Sequence, residues 1–412
     1  MLADAVDRDR PVKRPRVALL TREFPPEVYG GAGVHVEYLA PALAEFADIE
    51  VHCFGAPRSS ALVGGTYEPW SALSAAGPDG GALGVMSVDL AMAAGVGVGV
   101  RGVDLVHSHT WYANLAGHLA ALVHGVPHVM TAHSLEPLRP WKAEQLGGGY
   151  ALSSFCERTA IGAADAVVAV STAMRHDILA AYPAVDPWRV EVVPNGIDID
   201  AYQPVGGTDG LVRLGVDPGQ PSVLFVGRMT RQKGIDLLLA AGAHIDPQAQ
   251  LVLCAGAPDT AALGDELRAA AAALADRRGR VVWIEAMAAR ADIVQLMSHA
   301  TVFVCPSVYE PFGLINVEAM ACGTAVVATA TGGIVDVVVD GETGYLVALD
   351  PAEPWHYVAE LAARVNELLA DPARAAAFGR AGRRRVVDSF TWGAVAARTA
   401  AVYRKVLEGR GD

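Results

Sequence analysis

Short apolar runs rich in β-branched residues alternate with longer helical patterns along almost the whole chain. The alternation stops at a polar stretch rich in glycine and proline and restarts at Ser222. Such alternation is typical of parallel sheets covered by helices, and it predicts an α/β fold of two doubly wound, Rossmann-like domains. The predicted strands are Arg16–Leu20, Ile49–Phe54, Leu105–Ser108, His128–Ala132, Ala166–Ala169, Val190–Val193, Ser222–Val226, Gln250–Cys254, Val281–Ile284, Thr301–Cys305, Thr324–Ala328 and Tyr345–Val347.

A length of 412 residues is too great for one compact core and fits two domains of ordinary size. We assign residues 1–14 to a loose tail, 15–200 to the first domain, 201–388 to the second, and 389–412 to a helix that packs back on the first. Ligands of doubly wound sheets bind beyond the carboxyl ends of the strands. Two such domains are therefore expected to face each other across a cleft.

The net charge of -13 argues against a nucleic-acid partner, because the phosphate backbone rewards basic surfaces. It leaves room for an anionic small ligand, which needs only a local cluster of cations. The cysteines form no CxxC pair, and we expect buried, reduced thiols. They are Cys53, Cys156, Cys254, Cys305 and Cys322.

The charged N-terminal residues have no apolar segment of the kind found in signal peptides. The small apolar residues of Leu83–Val100 surround Asp89, so a buried helix is expected there instead of a membrane span. We therefore expect a cytoplasmic protein without membrane partners, and a homo-oligomer is compatible with the sequence.

Two short motifs match binding signatures in the wrong context. Residues 97–102 read Gly-x-Gly-x-x-Gly, but a helical pattern precedes them and a strand follows, which is the reverse of a dinucleotide site and argues against a dehydrogenase. Asp198 and Asp200 form an Asp-x-Asp pair, but they follow a Pro-Asn-Gly turn and are expected to lie in a solvated linker. No signature of a P-loop NTPase, a zincin or an α/β-hydrolase is present.

A glycine-rich turn follows the first predicted strand and includes Gly30, Gly31 and Gly33. Backbone N–H groups of such a turn, aided by the dipole of the next helix, favour a phosphate. Pro41 is expected to kink or end that helix.

A cationic loop follows the first strand of the second half. Residues 227–234 place Arg228 and Lys233 at the carboxyl end of the strand, beside the start of a helix. One forked donor and one point charge are what a diphosphate requires.

Two carboxylates flank a glycine turn after Thr301–Cys305. If a helix begins near Gly313, Glu318 lies about 7 Å along its axis from the first turn. One of the two carboxylates then faces the mouth of the cleft, and the other lies deeper, where it could bind a ribose diol. The N–H groups of Gly313 and Leu314 would point to the same phosphates as Arg228. A non-catalytic binding protein would not need this spacing beside a cationic loop.

Histidines follow two neighbouring strands of the first domain. His107 and His109 come from one strand, and His133 follows the next. We expect His133 to be a polar active-site group and His109 a supporting one. Their spacing offers no closed ligand set, so no metal site is predicted.

The chain resembles the family 4 retaining glycosyltransferases of the GT-B fold from about Arg16 onward. The resemblance rests on Gly30-Gly31, on the Gly-Arg-x4-Lys-Gly segment at 227–234, and on the Glu310/Glu318 pair. Residues 194–198 match the family's interdomain segment, which favours the linker interpretation of Asp198 and Asp200.

Residues 21–36 are similar to the actinobacterial glycogen synthase type, which includes enzymes that join ADP-glucose to glucose 1-phosphate and form α-maltose 1-phosphate. The resemblance implies that Arg228 and Lys233 bind the donor diphosphate, Glu318 the ribose and Glu310 the donor glucose. It places His133 at the reacting centre. The implied donor contacts are Gly30, Gly31, Arg228, Lys233, Glu310, Phe312, Gly313, Leu314, Glu318 and Thr331.

The first glycine turn departs from the Lys-x-Gly-Gly-Leu of starch-synthase-type enzymes, since it reads Tyr29-Gly30-Gly31-Ala32. This favours a small phosphorylated acceptor, with His109, Arg139 and Lys142 as candidate contacts. We expect a metal-independent enzyme without a cofactor, using ADP-glucose and glucose 1-phosphate. The alternatives are elongation of an α-1,4-glucan from ADP- or UDP-glucose, or another acceptor such as an inositol phosphate or a lipid.

Overall fold

The computed structural model describes residues 14–75, 77, 80–97, 102–139, 148–285 and 288–409. The chain divides into two compact units. The first comprises the chain up to Val168, Ile178–Glu191 and everything from Ala396 onward, and the second comprises Ala169–Asp177 and Val192–Val395. We expected the domain boundary near residue 200. In the structure the chain passes from the first unit to the second between Glu191 and Val192.

A parallel sheet forms the centre of the first unit. Its strands are β1 (Arg16–Thr21), β2 (Asp48–Phe54), β3 (Val63–Tyr67), β4 (Leu105–His109), β5 (His128–Ala132), β6 (Ala166–Ala169) and β7 (Val190–Val192). Among the described residues the sheet has seven strands in the order β3-β2-β1-β4-β5-β6-β7. Pairing is parallel from β3 through β5. Only β3 was not predicted, because Gly64 and Gly65 weaken its strand pattern.

The second unit repeats this arrangement. Its strands are β8 (Ser222–Met229), β9 (Gln250–Pro258), β10 (Val281–Ile284), β11 (Val302–Cys305), β12 (Ala325–Thr329) and β13 (Gly344–Val347). In the part that the structure describes, the order is β10-β9-β8-β11-β12-β13 and every neighbouring pair is parallel. This order is that of a doubly wound nucleotide-binding sheet. The predicted α/β fold of two Rossmann-like domains is confirmed.

Helices connect the strands in both units. In chain order they are α1 (Gly31–Leu43), α2 (Ser71–Ser74), α3 (Gly80–Gly95), α4 (Trp111–His124), α5 (Gly148–Ala163), α6 (Thr172–Ala181), α7 (Asp209–Arg213), α8 (Ile235–Gly242), α9 (Ala261–Arg278), α10 (Arg290–His299), α11 (Leu314–Ala321), α12 (Ile334–Val337), α13 (Pro354–Ala370), α14 (Pro372–Ser389) and α15 (Trp392–Glu408). As expected, α1 ends soon after Pro41.

The small-residue helix α3 lies inside the first unit. Its Asp89 is buried and accepts a hydrogen bond from the Ala116 N–H of α4 at 3.2 Å. Burial holds the pKa of Asp89 well above its usual value, so the carboxyl group is neutral at this contact. None of the helices in the described part of the chain is long and apolar enough to cross a bilayer.

The last helix, α15, returns to the first unit from Ala396 onward. Its Tyr403 is buried, and the hydroxyl group lies 2.7 Å from His107 Nδ1 in β4.

The five cysteines are all buried and unpaired, as predicted.

Two helical glycines give a matched test of the packing of α14. A Cβ at Gly379 would lie 1.9 Å from the Gly323 carbonyl oxygen, whereas a Cβ at Gly393 of α15 meets nothing within 4 Å. We expect Gly379→Ala to lower stability by about 1–3 kcal/mol, the usual cost of overpacking. Gly393→Ala should raise it by up to about 1 kcal/mol, through helix propensity alone. Urea unfolding midpoints of the two variants check this, and equal shifts would contradict the close contact.

Candidate active site

Lys233 is followed by a position, residue 234, where only a glycine fits. It ends the 3₁₀ turn Arg231–Lys233, and Gly234 follows with φ of 61° at the start of α8. A Cβ at Gly234 would lie 2.1 Å from the Pro306 carbonyl oxygen, so a larger residue would push the two loops apart. The glycine of the predicted cationic loop is therefore a steric requirement.

Hydrogen bonds join the loop of Lys233 to the loop of Glu310. The Val308 N–H donates to the Gln232 carbonyl, and the Gln232 side-chain amide donates to the Tyr309 carbonyl, both at 2.9 Å. Lys233 Nζ lies 2.5 Å from Glu310 Oε2 as a result. The two predicted site residues are brought together as an ion pair.

This ion pair is largely shielded from solvent, since the Lys233 and Glu310 side chains are 21% and 12% exposed. Burial by itself would lower the pKa of Lys233, but the charge and hydrogen bond of Glu310, together with Cys305, raise it above its usual value. Lys233 is therefore a fixed cation at neutral pH. Glu310 orients it, a role that the sequence did not predict.

Arg228 differs from Lys233 in its exposure. It lies within β8, which continues beyond its predicted end at Val226 because Gly227 and Arg228 still pair with β9. Its side chain is 71% exposed and makes a 3.5 Å ion pair with Asp259. An exposed guanidinium at a strand's carboxyl end is available to an anion.

The start of α11 supplies backbone donors. Gly313 is the N-cap and brings no side chain to bond the free N–H groups, beginning with that of Leu314. A second turn packs beneath Glu310: Gly332 has φ of 52°, a Cβ there would lie 1.9 Å from the Glu310 carbonyl oxygen, and the Gly333 N–H donates to that oxygen at 2.8 Å. The predicted helix start near Gly313 is confirmed.

Phe312 and Thr331 have different environments. Phe312 is 2% exposed and its ring packs against Phe390, with the centroids 5.9 Å apart. The ring therefore has a packing role, and the predicted donor contact of Phe312 stays a prediction. Thr331 is partly exposed, and its hydroxyl makes only a long 3.4 Å contact with the Val308 carbonyl, so it is available to a ligand.

Glu318 lies on α11 in a more apolar setting than Glu310. Burial raises its pKa to about 7, although a hydrogen bond from the Tyr202 hydroxyl and the charge of Lys233 lower it in part. Nearby, Asn316 is fully buried, and neither of its side-chain amide atoms has a hydrogen-bond partner among the described residues. Sequence reasoning missed Tyr202 and Asn316, and no local signal marks Tyr202 because it is distant along the chain.

In the first unit, the glycine turn is occupied by a carboxylate from this chain. Gly30 is the N-cap of α1, whose first residue is Gly31. Glu23 accepts hydrogen bonds from the N–H groups of Tyr29 and Gly30 at 2.9 and 2.8 Å, and a Cβ at Gly33 would lie 2.4 Å from its Oε2. The Gly30 N–H group that was predicted to face a phosphate is thus bonded to Glu23.

The histidines lie at the carboxyl ends of β4 and β5, as predicted. His109 Nδ1 lies 3.2 Å from His133 Nε2. His107 uses both ring nitrogens, with Tyr403 at 2.7 Å and the Thr131 hydroxyl at 2.8 Å. Burial is the main cause that lowers the pKa values of His107, His109 and His133 well below the usual range, so these rings are neutral at pH 7.

Thr110, between His109 and α4, has an unusual backbone. Its φ of 65° with ψ of 161° is disfavoured for a β-branched residue, and its carbonyl accepts from the N–H groups of Ala113 and Asn114. Strain of this kind concentrates at functional sites. The sequence carries no sign of it, because threonine is an ordinary residue before a helix.

Arg139 and His133 line one cavity of about 170 Å³. Arg139 donates to the Ser134 hydroxyl. Two buried carboxyl groups, from Glu136 and Glu157, line the same cavity. Burial raises the pKa of Glu157 to about 7, and Arg139 is among the groups that lower it. The charge of Arg139 is thus partly offset before any ligand arrives.

Lys142, the other predicted acceptor cation, lies outside the described residues.

Arg22 is a cation that the sequence reasoning missed. Its guanidinium lies 4.1 Å above the centre of the Tyr112 ring, and Tyr112 lines the cavity of Arg139.

Of the two rejected motifs, the Asp-x-Asp pair has a structural role. Asp198 Oδ1 accepts from the N–H groups of Asp200 and Ala201 at 3.0 Å, so its carboxylate closes a turn. Residues 97–102 follow α3 and precede β4 in the predicted order, with 98–101 outside the described residues.

Comparisons with known proteins identify the family of the chain. A family model described as Glycosyltransferase Family 4 matches residues 29–201, and one described as Glycosyl transferases group 1 matches residues 212–385. The alpha-maltose-1-phosphate synthase of Mycolicibacterium smegmatis is 54% identical over 95% of this chain and 99% of the relative. The chain belongs to the family 4 glycosyltransferases. It is an enzyme, and its fold is GT-B.

Two further relatives mark the breadth of this family. D-inositol 3-phosphate glycosyltransferase 1 of Catenulispora acidiphila is 34% identical over 74% of this chain and 73% of the relative. The structure of sucrose-phosphate synthase from Thermosynechococcus elongatus matches with a TM-score of 0.72 and 28% identity over 96% of this chain and 100% of that chain.

Replacing either donor-site cation of the glycosyltransferase should slow the reaction. We expect Lys233→Ala and Arg228→Ala each to lower kcat/KM by about 10²–10³-fold, the scale for losing one charge partner of the transition state. Arg231→Ala is the matched control, because Arg231 is 74% exposed on the same loop and pairs with Glu266. Steady-state kinetics check this, and equal effects of all three variants would refute the assignment.

The raised pKa of Glu318 predicts a pH-dependent affinity for the donor. The ionised carboxylate accepts hydrogen bonds from a diol, and with a pKa of about 7 it forms as the pH rises from about 6 to 8. Donor affinity should increase over that interval by up to about ten-fold, because the ionised fraction changes by about that factor. Calorimetric titration with ADP-glucose, without acceptor, measures it. Glu318→Gln should bind weakly with a flat pH profile, and an unchanged profile would contradict the assignment.

Proposed function

We propose that this glycosyltransferase moves glucose from ADP-glucose to glucose 1-phosphate, with retention at the anomeric carbon, and forms α-maltose 1-phosphate for α-glucan synthesis. The observation that carries the donor half is the shielded Lys233–Glu310 pair beside Arg228 and the uncapped start of α11. The name of the relatives that are 52% and 54% identical over 95% of the chain supports the product.

The donor half follows from charge. When the glycosidic C1–O bond breaks, negative charge grows on the diphosphate, and cations fixed beforehand stabilise it at no cost of reorganisation. Lys233 is held by Glu310 and stays charged, and Arg228 adds a forked donor. The N–H groups at the start of α11 add a partial positive charge. Thr331 is a further donor contact in this proposal.

In the transfer step the acceptor attacks C1 on the same face that the diphosphate leaves, so one oxygen replaces another and the configuration is retained. The C1–O bond to the diphosphate breaks, the acceptor hydroxyl oxygen bonds to C1, and the hydroxyl proton passes to the departing diphosphate oxygen. The sugar centre is oxocarbenium-like while neither bond is complete. His133 is neutral and buried, so it serves the reacting sugar as a hydrogen-bonding group without adding a competing positive charge.

The acceptor half rests on the first unit. A phosphorylated acceptor needs a cation, and Arg139 lines the same cavity as His133, with Arg22 stacked on another of its walls. Val28 stands where the Lys-x-Gly-Gly-Leu of starch-synthase-type enzymes has its lysine, which favours a small acceptor over a growing chain. His109 supports His133 through their 3.2 Å contact.

Five unpaired cysteines accord with a cytoplasmic setting.

The acceptor is identified by comparing initial rates. With ADP-glucose as donor, we expect glucose 1-phosphate to be used in preference to glycogen and to inositol phosphate, with maltose 1-phosphate as product. UDP-glucose in a parallel series sets the base preference. A clear preference for glycogen would overturn the acceptor and leave the donor site intact.

Charge substitutions then locate the acceptor phosphate. We expect Arg139→Ala to raise the KM for glucose 1-phosphate about ten-fold or more, the scale of one charged hydrogen bond. Lys142→Ala is tested beside it. Arg158→Ala is the control, since Arg158 is exposed on α5. Glu157→Gln should lower that KM, because it removes a negative charge from the cavity. If only glucose 1-phosphate is used but no variant changes its KM, the phosphate lies elsewhere.

A further inference from the structure

Three imidazoles of the first unit converge on one point. His35 lies on α1, His109 ends β4, and His133 follows β5. One donor nitrogen from each ring lies within 4.8 Å of the other two. His35 and His109 are buried, and His133 is nearly so. The sequence did not suggest this cluster, because His35 is far along the chain from the other two.

The three rings form a nearly equilateral triangle. Their centroids are 4.8 Å apart for His35 and His133, 5.4 Å for His35 and His109, and 5.5 Å for His109 and His133. Imidazole nitrogens about 2.0–2.1 Å from one tetrahedral ion lie about 3.4 Å from each other. The 3.2 Å between His109 Nδ1 and His133 Nε2 is already close to that spacing.

One ring of the set has an unmet polar atom. His109 Nε2 is buried without a hydrogen-bond partner among the described residues, while Nδ1 of the same ring faces His133. The His109 ring is therefore incompletely satisfied by the protein.

The hydrogen bonds of the neighbouring His107 limit the possible ligands to three histidines. His107 packs against His109 with the centroids 4.3 Å apart, but both of its nitrogens are bonded, to Tyr403 and to Thr131, so it supports the set and is not a ligand. Three neutral nitrogens suit a borderline ion such as Zn²⁺ or Co²⁺ and not Mg²⁺ or Ca²⁺, which prefer oxygen.

We propose that His35, His109 and His133 bind one divalent transition-metal ion, with a fourth position open to solvent or an anion. The ion has no part in the sugar transfer proposed above. It engages His133 as a ligand and so withdraws that ring from the reacting sugar, which makes bound metal an inhibitor. This inhibition rests on the proposed function, whereas the binding itself does not.

Cobalt titration of the full-length protein tests the binding. After treatment with EDTA and its removal, we expect about one equivalent of Co²⁺ to give the visible absorption of a tetrahedral site, and Zn²⁺ to abolish it. His35→Ala and His109→Ala should each weaken binding at least about ten-fold and remove the band. His176→Ala should leave both unchanged, because His176 is exposed on α6.

The binding proposal is overturned if the wild type gives no tetrahedral band or if the band survives both substitutions. His35→Gln guards against misfolding, since it keeps a polar side chain of similar size. Thermal unfolding without metal shows which variants are folded, and a folded variant that retains the band counts against the proposal.

Activity tests the consequence. Zn²⁺ should lower the initial rate of transfer, and EDTA should restore it to the rate of the metal-free enzyme. If Co²⁺ binds as expected but Zn²⁺ does not inhibit, the metal site stands and the inhibition is overturned. If no sugar is transferred in any assay, the proposed function fails, while the cobalt spectrum still decides the binding.

Discussion

The ion pair between Lys233 and Glu310 is the interaction on which the second unit's site depends. Burial by itself lowers the pKa of Lys233, and a carboxylate by itself would repel a diphosphate. In the pair, Glu310 raises the pKa of Lys233 and holds the ammonium group in one place. The two glycines that the pair requires, Gly234 and Gly332, each allow a carbonyl oxygen to approach more closely than any side chain would permit. Close backbone contacts at these two glycines thus position the charges of Lys233 and Glu310.

The two carboxylates of the Glu-x7-Glu pattern show how one helix start can serve two chemical purposes. Glu310 precedes the helix and pairs with Lys233, whereas Glu318 lies a few residues along it, where burial raises its pKa to about 7. Their different surroundings suit the two roles proposed for them, electrostatic positioning for Glu310 and diol recognition for Glu318. The protein needs no overall positive charge for this, and its net charge of -13 coexists with a local site for an anion.

The sequence predicted the sheets well because their strands are continuous apolar runs, which read the same in any tertiary context. It failed at β3, where glycines interrupt the pattern, and at the carboxyl ends of β8 and β9, where Gly227 and Gly256 interrupt the apolar run while the ladder continues. The cations and carboxylates predicted for the donor site stand out in the sequence because they lie near turns. Their partners were not: Tyr202 for Glu318, Glu23 for Gly30 and the carboxyl groups around Arg139 are set by tertiary proximity.

The hydrogen bond from Tyr403 to His107 has a consequence for how the protein is made. Synthesis begins at the N-terminus, and the first unit contains strands from the start of the chain and a helix from its end. During translation the whole second unit emerges before the helix that covers His107. The first unit can therefore be completed only after the second unit has been synthesised, although domains generally fold in the order of synthesis.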